Sequence, residues 1–268
     1  MLAIDGNLLD FKRLDLLARG ESAIHRLDPR AKVLTTLVYI LCVVSFGRYE
    51  LAAMLPFLLY PVVLLALADL PAGYIARKVV VVLPFAVMVG LFNPLFDRQV
   101  VVQLGTLDIS GGWISCLSIV TRALLTAGAA IVLVAVTGFP AICATLERLG
   151  MPRVFAVQLL FLHRYIFVLT DEGGRVARAR QLRACGKQGL GLHHFGALVG
   201  HLLLRTWERA ERVHMAMLAR GFSGEIHARR QGRFGTGDLL FVCGWSSLFV
   251  IMRLINLPQQ LGLLLTGS

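Results

Sequence analysis

The sequence predicts an all-α, polytopic membrane protein with about five transmembrane helices and a long cytoplasmic region between the fourth and the fifth. Three observations carry this. Apolar residues make up 57% of the chain and charged residues only 16%, where a soluble domain carries about a quarter charged. Apolar runs of about 14 to 20 residues recur, close to the length a helix needs to cross a bilayer. Basic residues are spread very unevenly over the segments between those runs.

Residues 1–32 are polar, and Asp5, Asp10 and Asp15 interrupt them before any apolar core, so they do not read as a secretory signal. Asp28 followed by Pro29 reads as an N-cap and first helical position. The run Val33 to Phe46 is short for a span and reaches across if Lys32 and Arg48 snorkel to the interfaces. Leu51 to Ala68 makes a second span, its Pro56 and Pro61 tolerable inside a packed bundle. Val79 to Phe96 makes a third. A loop with turn signals at Gly105 and Ser110-Gly111-Gly112 precedes the fourth, Ile114 to Val136. Arg122 inside that run should sit near an end or face a polar partner. Leu239 to Leu257 is the fifth. The chain thus divides into 1–137, 138–238 and 239–268.

Of the 27 Lys and Arg residues, six lie in 1–32, two in 69–78 and fifteen in 138–238, against one each in 47–50 and 97–113. Short flanks rich in Lys and Arg stay inside, which places the N-terminus and the basic region in the cytoplasm. The net charge of +11 is accounted for by that asymmetry, and nucleic acid is not an expected partner. Val154 to Thr170 is nearly apolar and reads as a sixth span by composition. His163 and Arg164 at its centre favour a helix that starts after Gly150-Met151-Pro152 and runs along the membrane surface.

Two helix endings stand out in the basic region. One runs Arg178-Ala179-Arg180-Gln181-Leu182-Arg183-Ala184-Cys185-Gly186, the other Met217-Leu218-Ala219-Arg220-Gly221-Phe222. Each is amphipathic, carries arginine and runs into a glycine that can stop a helix. Arg180, Arg183 and Lys187 fall within about 60° of one another around a helix. Arg205, Arg209, Arg212 and Arg220 share a face about 80° wide, with Trp207, Ala210, Val213 and Met217 on a neighbouring apolar face. Attraction to anionic lipid is the plain alternative. Against it, the region holds 14 Arg and one Lys, a bias that suits bidentate pairing with carboxylates. Ala184, Ala219 and Gly221 beside the terminal arginines leave room for a helix end to enter a groove. Two such ends suggest two copies of an acidic partner, or a dimer. Glu208 and Glu211 are expected to support the second helix through pairs with Arg212 or Arg205.

These residues carry a family resemblance. The segments His25-Arg26-Leu27-Asp28-Pro29-Arg30-Ala31-Lys32, Phe161-Leu162-His163-Arg164-Tyr165-Ile166-Phe167-Val168-Leu169, Arg178 to Arg183, Arg209-Ala210-Glu211 and Ala216 to Gly224 resemble the transmembrane T component of energy-coupling-factor ABC importers, close to the cobalt-type CbiQ branch. The resemblance implies that 138–238 is a set of coupling helices. Its two ends, at Arg183 (or Arg180, since Leu182-Arg183-Ala184 departs from the usual Ala-Arg-Gly form) and at Arg220, would each dock into one subunit of a cytoplasmic ATPase dimer. It further implies a membrane-embedded substrate-binding subunit for cobalt as a partner, and an inner-membrane location. Nickel or a vitamin is the alternative substrate.

No Gly-x-x-x-x-Gly-Lys-Ser/Thr loop, HExxH or Gly-x-Ser-x-Gly motif occurs, so ATP hydrolysis is assigned to a partner and no catalytic residue or cofactor is expected. Cys42, Cys116, Cys143, Cys185 and Cys243 are scattered with no CxxC pair, and His193, His194, His201, His214 and His227 have no Cys or carboxylate spaced to complete a metal site. Two other classes compete. A self-contained transporter would need polar groups at mid-membrane, and Arg122 is nearly alone there. A membrane enzyme acting on lipids through His163 and Arg164 would lack acidic metal-binding motifs.

Overall fold

A computed structural model describes residues 13–96, 100–104, 107–183, 192–222 and 234–254. In chain order its elements are α1 (Ala23–Arg26), α2 (Pro29–Val44), α3 (Leu51–Met54), a 3₁₀ turn (Leu55–Leu58), α4 (Leu59–Leu67), α5 (Ala72–Val80), α6 (Leu83–Gly90) and α7 (Asn93–Phe96). A hairpin of β1 (Val100–Leu104) and β2 (Leu107–Ser110) follows, then α8 (Gly111–Thr137), α9 (Phe139–Arg148), α10 (Arg153–Arg183), α11 (Leu192–Ala219) and α12 (Thr236–Leu254). The described residues belong to two compact units. One comprises Leu16–Gly138 with Gln231–Ser268, the other Met1–Asp15 with Phe139–Arg230.

Asp28 caps α2 as its sequence suggests, its Oδ1 accepting from the Arg30 N–H at 2.8 Å with Pro29 in the first turn. One face of α2 turns outward with Leu34, Leu37, Leu41 and Val44 exposed, while Thr35, Thr36, Tyr39 and Val43 are buried. Large apolar side chains outside and hydroxyls inside are what a lipid-facing helix requires. The hydroxyls are satisfied: Thr35 donates to the Ala31 carbonyl at 2.8 Å, and Thr36 Oγ1 lies 2.8 Å from the Tyr60 hydroxyl. Around them Tyr39, Phe57, Tyr60, Trp245 and Phe249 form an aromatic core with ring centroids about 5–6 Å apart.

Prolines shape the second and third apolar stretches. Pro61 has no N–H, which leaves the Phe57 carbonyl without the donor it would have four residues on. The Tyr39 hydroxyl donates to that carbonyl from α2 at 3.1 Å. Pro84 likewise breaks the third stretch into α5 and α6, with a turn at 81–82. That stretch begins at Ala72 rather than Val79, because α5 accommodates Arg77 and Lys78 at its own end. Between 97 and 113 the expected loop is in part an antiparallel hairpin, with Gln103 opposite Asp108 and Leu104 opposite Leu107; Val100, Val101 and Val102 suit a strand. Gly105 lies outside the described residues.

α8 is the central helix of this unit and packs on α2, α4, α5, α6 and α7. Where α6 meets α8, a Cβ on Gly90 would lie 2.9 Å from Cys116 Sγ, so a larger residue there requires the Cys116 side chain to move. α2 and α12 are tied at both ends. At their starts, the buried Asp238 carboxylate accepts from the Asp28 N–H at 2.7 Å and from the Gly235 N–H at 2.8 Å, beside buried Lys32. At their ends, Arg253 donates to the Ser45 carbonyl at 3.0 Å, lies 3.6 Å from Glu50 and covers the Phe46 ring at 4.4 Å. The two helices therefore run parallel. Arg122 resolves as expected for a charge in an apolar run: it donates to the carbonyls of Phe46 and Gly47, at 2.9 and 3.3 Å, where α2 has ended.

Four helical stretches are long and apolar enough to cross a membrane, namely Ala72–Gly90, Gly111–Thr137, Arg153–Ala179 and Thr236–Leu254, and Leu51–Leu67 is a shorter apolar one. With 16 residues α2 extends only about 24 Å, which a tilted or locally thinned bilayer accommodates. The chain is an all-α polytopic membrane protein.

Candidate functional site

The predicted site residues lie in the unit built from α9, α10 and α11. α9 ends in a reverse turn: Gly150 takes φ +111°, its N–H bonds to the Glu147 carbonyl at 3.2 Å, and the Met151 N–H bonds to Leu146 at 3.0 Å. This is the double hydrogen bond of a glycine-stopped helix. Pro152 follows and α10 begins at Arg153, at the boundary read from Gly150-Met151-Pro152. His163 stacks on Phe139 at 5.0 Å, meets Phe167 edge-on at 5.2 Å, and sets its Nε2 3.3 Å from the Asp15 carboxylate. Asp15 is a partner that the local sequence does not reveal.

α10 ends at Arg183, so Arg180 and Arg183 occupy its last turn. Ala184 lies outside the described residues, as do Lys187 and the Gly-Leu-Gly at 189–191. The end of α11 is described fully. Gly221 takes φ +77°, its N–H bonds to the Leu218 carbonyl at 3.0 Å, and the Phe222 N–H bonds to Met217 at 3.0 Å. Gly221 is thus the left-handed stop residue, and Arg220 is the last residue before it, exposed along with Ala219. The stop satisfies the Met217 and Leu218 carbonyls, and the negative end of the helix dipole favours a cation there.

The expected pairs along α11 hold in part. Arg212 lies 3.9 Å from Glu208, with both side chains exposed. Arg205 instead reaches across to Glu172 on α10, whose other oxygen pairs with Arg175. Spacing within α11 offers no hint of that cross-helix partner. Arg209 and Glu211 are exposed. Beside this bridge an open groove of about 630 Å³ runs between α10 and α11, with Val176, Leu198, Leu202 and Leu204 among its walls. Among the described residues no three His, Cys, Asp or Glu side chains gather where they could hold a metal ion.

Two long helices thus carry arginine at or beside their ends, Arg180 and Arg183 in the last turn of α10 and Arg220 just past α11. Comparisons with known proteins identify the family. Residues 20–231 match the family model of the CbiQ cobalt transport protein. The chain is 28% identical over 253 residues to the energy-coupling factor transporter transmembrane protein EcfT of Heliobacterium modesticaldum, covering 87% of this chain and 93% of that one. It is 27% identical over 158 residues to the cobalt transport protein CbiQ of Salmonella typhimurium, covering 54% and 70%. An uncharacterized protein of Methanocaldococcus jannaschii is 24% identical over 234 residues, covering 84% and 80%. The chain belongs to the CbiQ cobalt transport protein family and is a multi-pass transmembrane component of the energy-coupling factor type.

Proposed function

We propose that this chain is the non-enzymatic coupling subunit of a cobalt importer in the cell membrane. In this reading residues 138–238 form the cytoplasmic coupling region. The end of α10, through Arg183 or Arg180, and the end of α11, through Arg220, dock into the two subunits of an ATPase dimer. The chain then passes the motion of the ATPases to a membrane-embedded substrate-binding subunit. Cobalt is carried over from the family's description, with nickel the alternative.

The observation that carries this reading is the end of α11, where a left-handed glycine leaves an exposed arginine as the last residue before the stop. A guanidinium held this way meets a carboxylate with defined geometry, and losing one partner of such a pair costs about 2–5 kcal/mol at an interface. The orientation has support from the bundle. The Asp28–Asp238 contact keeps the starts of α2 and α12 at one end, so the chain crosses an even number of times between them. α2, Leu51–Leu67, Ala72–Gly90 and Gly111–Thr137 supply four crossings. Arg153–Ala179 then stays on the entry side, and the high Lys and Arg content of 1–32 and 138–238 makes that side the cytoplasm.

The test is co-purification with the ATPase pair after Arg183→Ala and Arg220→Ala together. The expected result is loss of the ATPases from a subunit that still inserts in the membrane. Normal assembly and cobalt uptake by the double variant would overturn the docking role.

A further inference from the structure

α10 and α11 are long, with 31 and 28 residues, or about 46 and 42 Å. Yet they touch over a small region. Gly173 lies at the crossing, where an added Cβ would sit 3.9 Å from Leu202 Cδ2. One residue earlier, Glu172 divides its carboxylate between two arginines: Oε2 receives Arg175 from its own helix and Oε1 receives Arg205 from α11. The glutamate side chain is only 19% exposed, against 59% and 66% for the arginines. Immediately beside it the groove between the helices is open, with Arg205 in its wall. Apolar packing is therefore incomplete at the crossing. Across known helix pairs, apolar packing alone fixes the interhelical angle only to within about 15–20°.

Resting on the coupling role proposed above, we infer that Glu172 is a positioning residue that pins α11 to α10 and so sets the separation of their arginine ends. Arg175 holds the carboxylate in one rotamer, one oxygen stays directed at Arg205, and the crossing angle follows. The leverage is large. Leu202 to Arg220 spans 18 residues and Gly173 to Arg183 spans 10, or arms of about 27 and 15 Å. A swing of about 15° moves the far end of α11 by about 7 Å, more than one helical turn. That displacement exceeds what a bidentate arginine contact tolerates.

The test measures the distance between spin labels at Leu182 and Leu218, both exposed, in the purified full chain in lipid nanodiscs with its five native cysteines replaced. The unaltered pair should give a narrow distribution. Glu172→Gln, nearly isosteric, and Arg205→Gln, at an exposed position, should each widen it by roughly twofold, and the double variant should be no wider than either single. In the assembled transporter, Glu172→Gln should retain the ATPases but move several-fold less cobalt per ATP hydrolysed. A distribution unchanged in both single variants overturns the pin, whatever the ATPases do. A distribution that widens while the Arg183→Ala, Arg220→Ala variant still binds ATPases supports the pin and overturns the docking reading instead.

Discussion

Asp238 is the residue on which the membrane bundle should depend most. It is 6% exposed, and its neighbours Asp28 and Lys32 are 5% and 4% exposed. One carboxylate oxygen accepts from the Asp28 N–H and the other from the Gly235 N–H, while Lys32 lies in the field of both aspartates. Asp238→Ala strips partners from two amides and leaves the buried ammonium with one carboxylate fewer. A buried donor without its acceptor costs about 1–3 kcal/mol for each amide, and Lys32 loses one of the two carboxylates whose field favours its charge. These losses share one site and do not fully add, so we expect about 2–4 kcal/mol. Asp238→Asn keeps one acceptor oxygen and should cost about 1–2 kcal/mol less. Adding Lys32→Met to Asp238→Asn should recover part of the loss, because the orphaned charge is then gone. The assay is denaturant unfolding in detergent micelles with the three variants side by side. An Asp238→Ala variant within about 1 kcal/mol of the parent would refute the reasoning. So would a triad in which the Lys32 change deepens the loss by its full separate amount.

Two further outcomes follow from the same unit. Tyr39→Phe removes a donor to the Phe57 carbonyl, which Pro61 deprives of its helical partner, and should cost about 1–3 kcal/mol in the same unfolding assay; restoring a backbone donor with Pro61→Ala should offset that loss. The His25 imidazole sets its Nε2 3.0 Å from the Leu17 carbonyl, to which it donates, and its Nδ1 2.7 Å from the Ser22 hydroxyl, a contact a neutral ring makes as acceptor. Burial, aided by the charge of Lys32 and opposed by the Leu17 carbonyl, holds its pKa below the usual histidine value of 6.5. The unfolded chain therefore takes up a proton before the folded one does. Stability is full above about pH 6.5 and falls as pH drops below it, and His25→Gln should flatten that part of the stability-versus-pH curve.

Local signals were legible in the sequence, and distant pairings were not. Asp28-Pro29 announced the start of α2, Gly150-Met151-Pro152 the start of α10 and Gly221 the end of α11, because caps and stops act within a few residues of the chain. The charge of Arg122 demanded a polar neighbour and found two carbonyls. Which carbonyls, however, depended on a turn 75 residues away. Glu172 with Arg205 and Asp28 with Asp238 join residues 33 and 210 positions apart, and no periodicity within one helix carries that register. The third stretch was misjudged at its start for a different reason. Arg77 and Lys78 looked like loop residues, yet they sit in the last turn of a short helix, where cations meet unpaired carbonyls.

The polar contacts of the bundle also follow from its solvent. In water a helix finds its neighbours by hiding apolar surface, but in lipid the outward Leu34, Leu37 and Leu41 of α2 gain nothing by turning inward. Orientation must come from close approach and from directional bonds. The bundle uses both: Gly90 lets α6 close on α8, and Asp238 and Arg253 fix α12 to the two ends of α2. Each of these contacts involves a residue that would be counted as a cost in a hydropathy profile. A glycine weakens its helix and a buried charge opposes insertion. Their value lies in choosing one arrangement among many that are equally apolar. On this argument, replacing Asp238, Lys32 and Arg253 together with well-packed apolar residues should leave helices that still insert but no longer hold a single register.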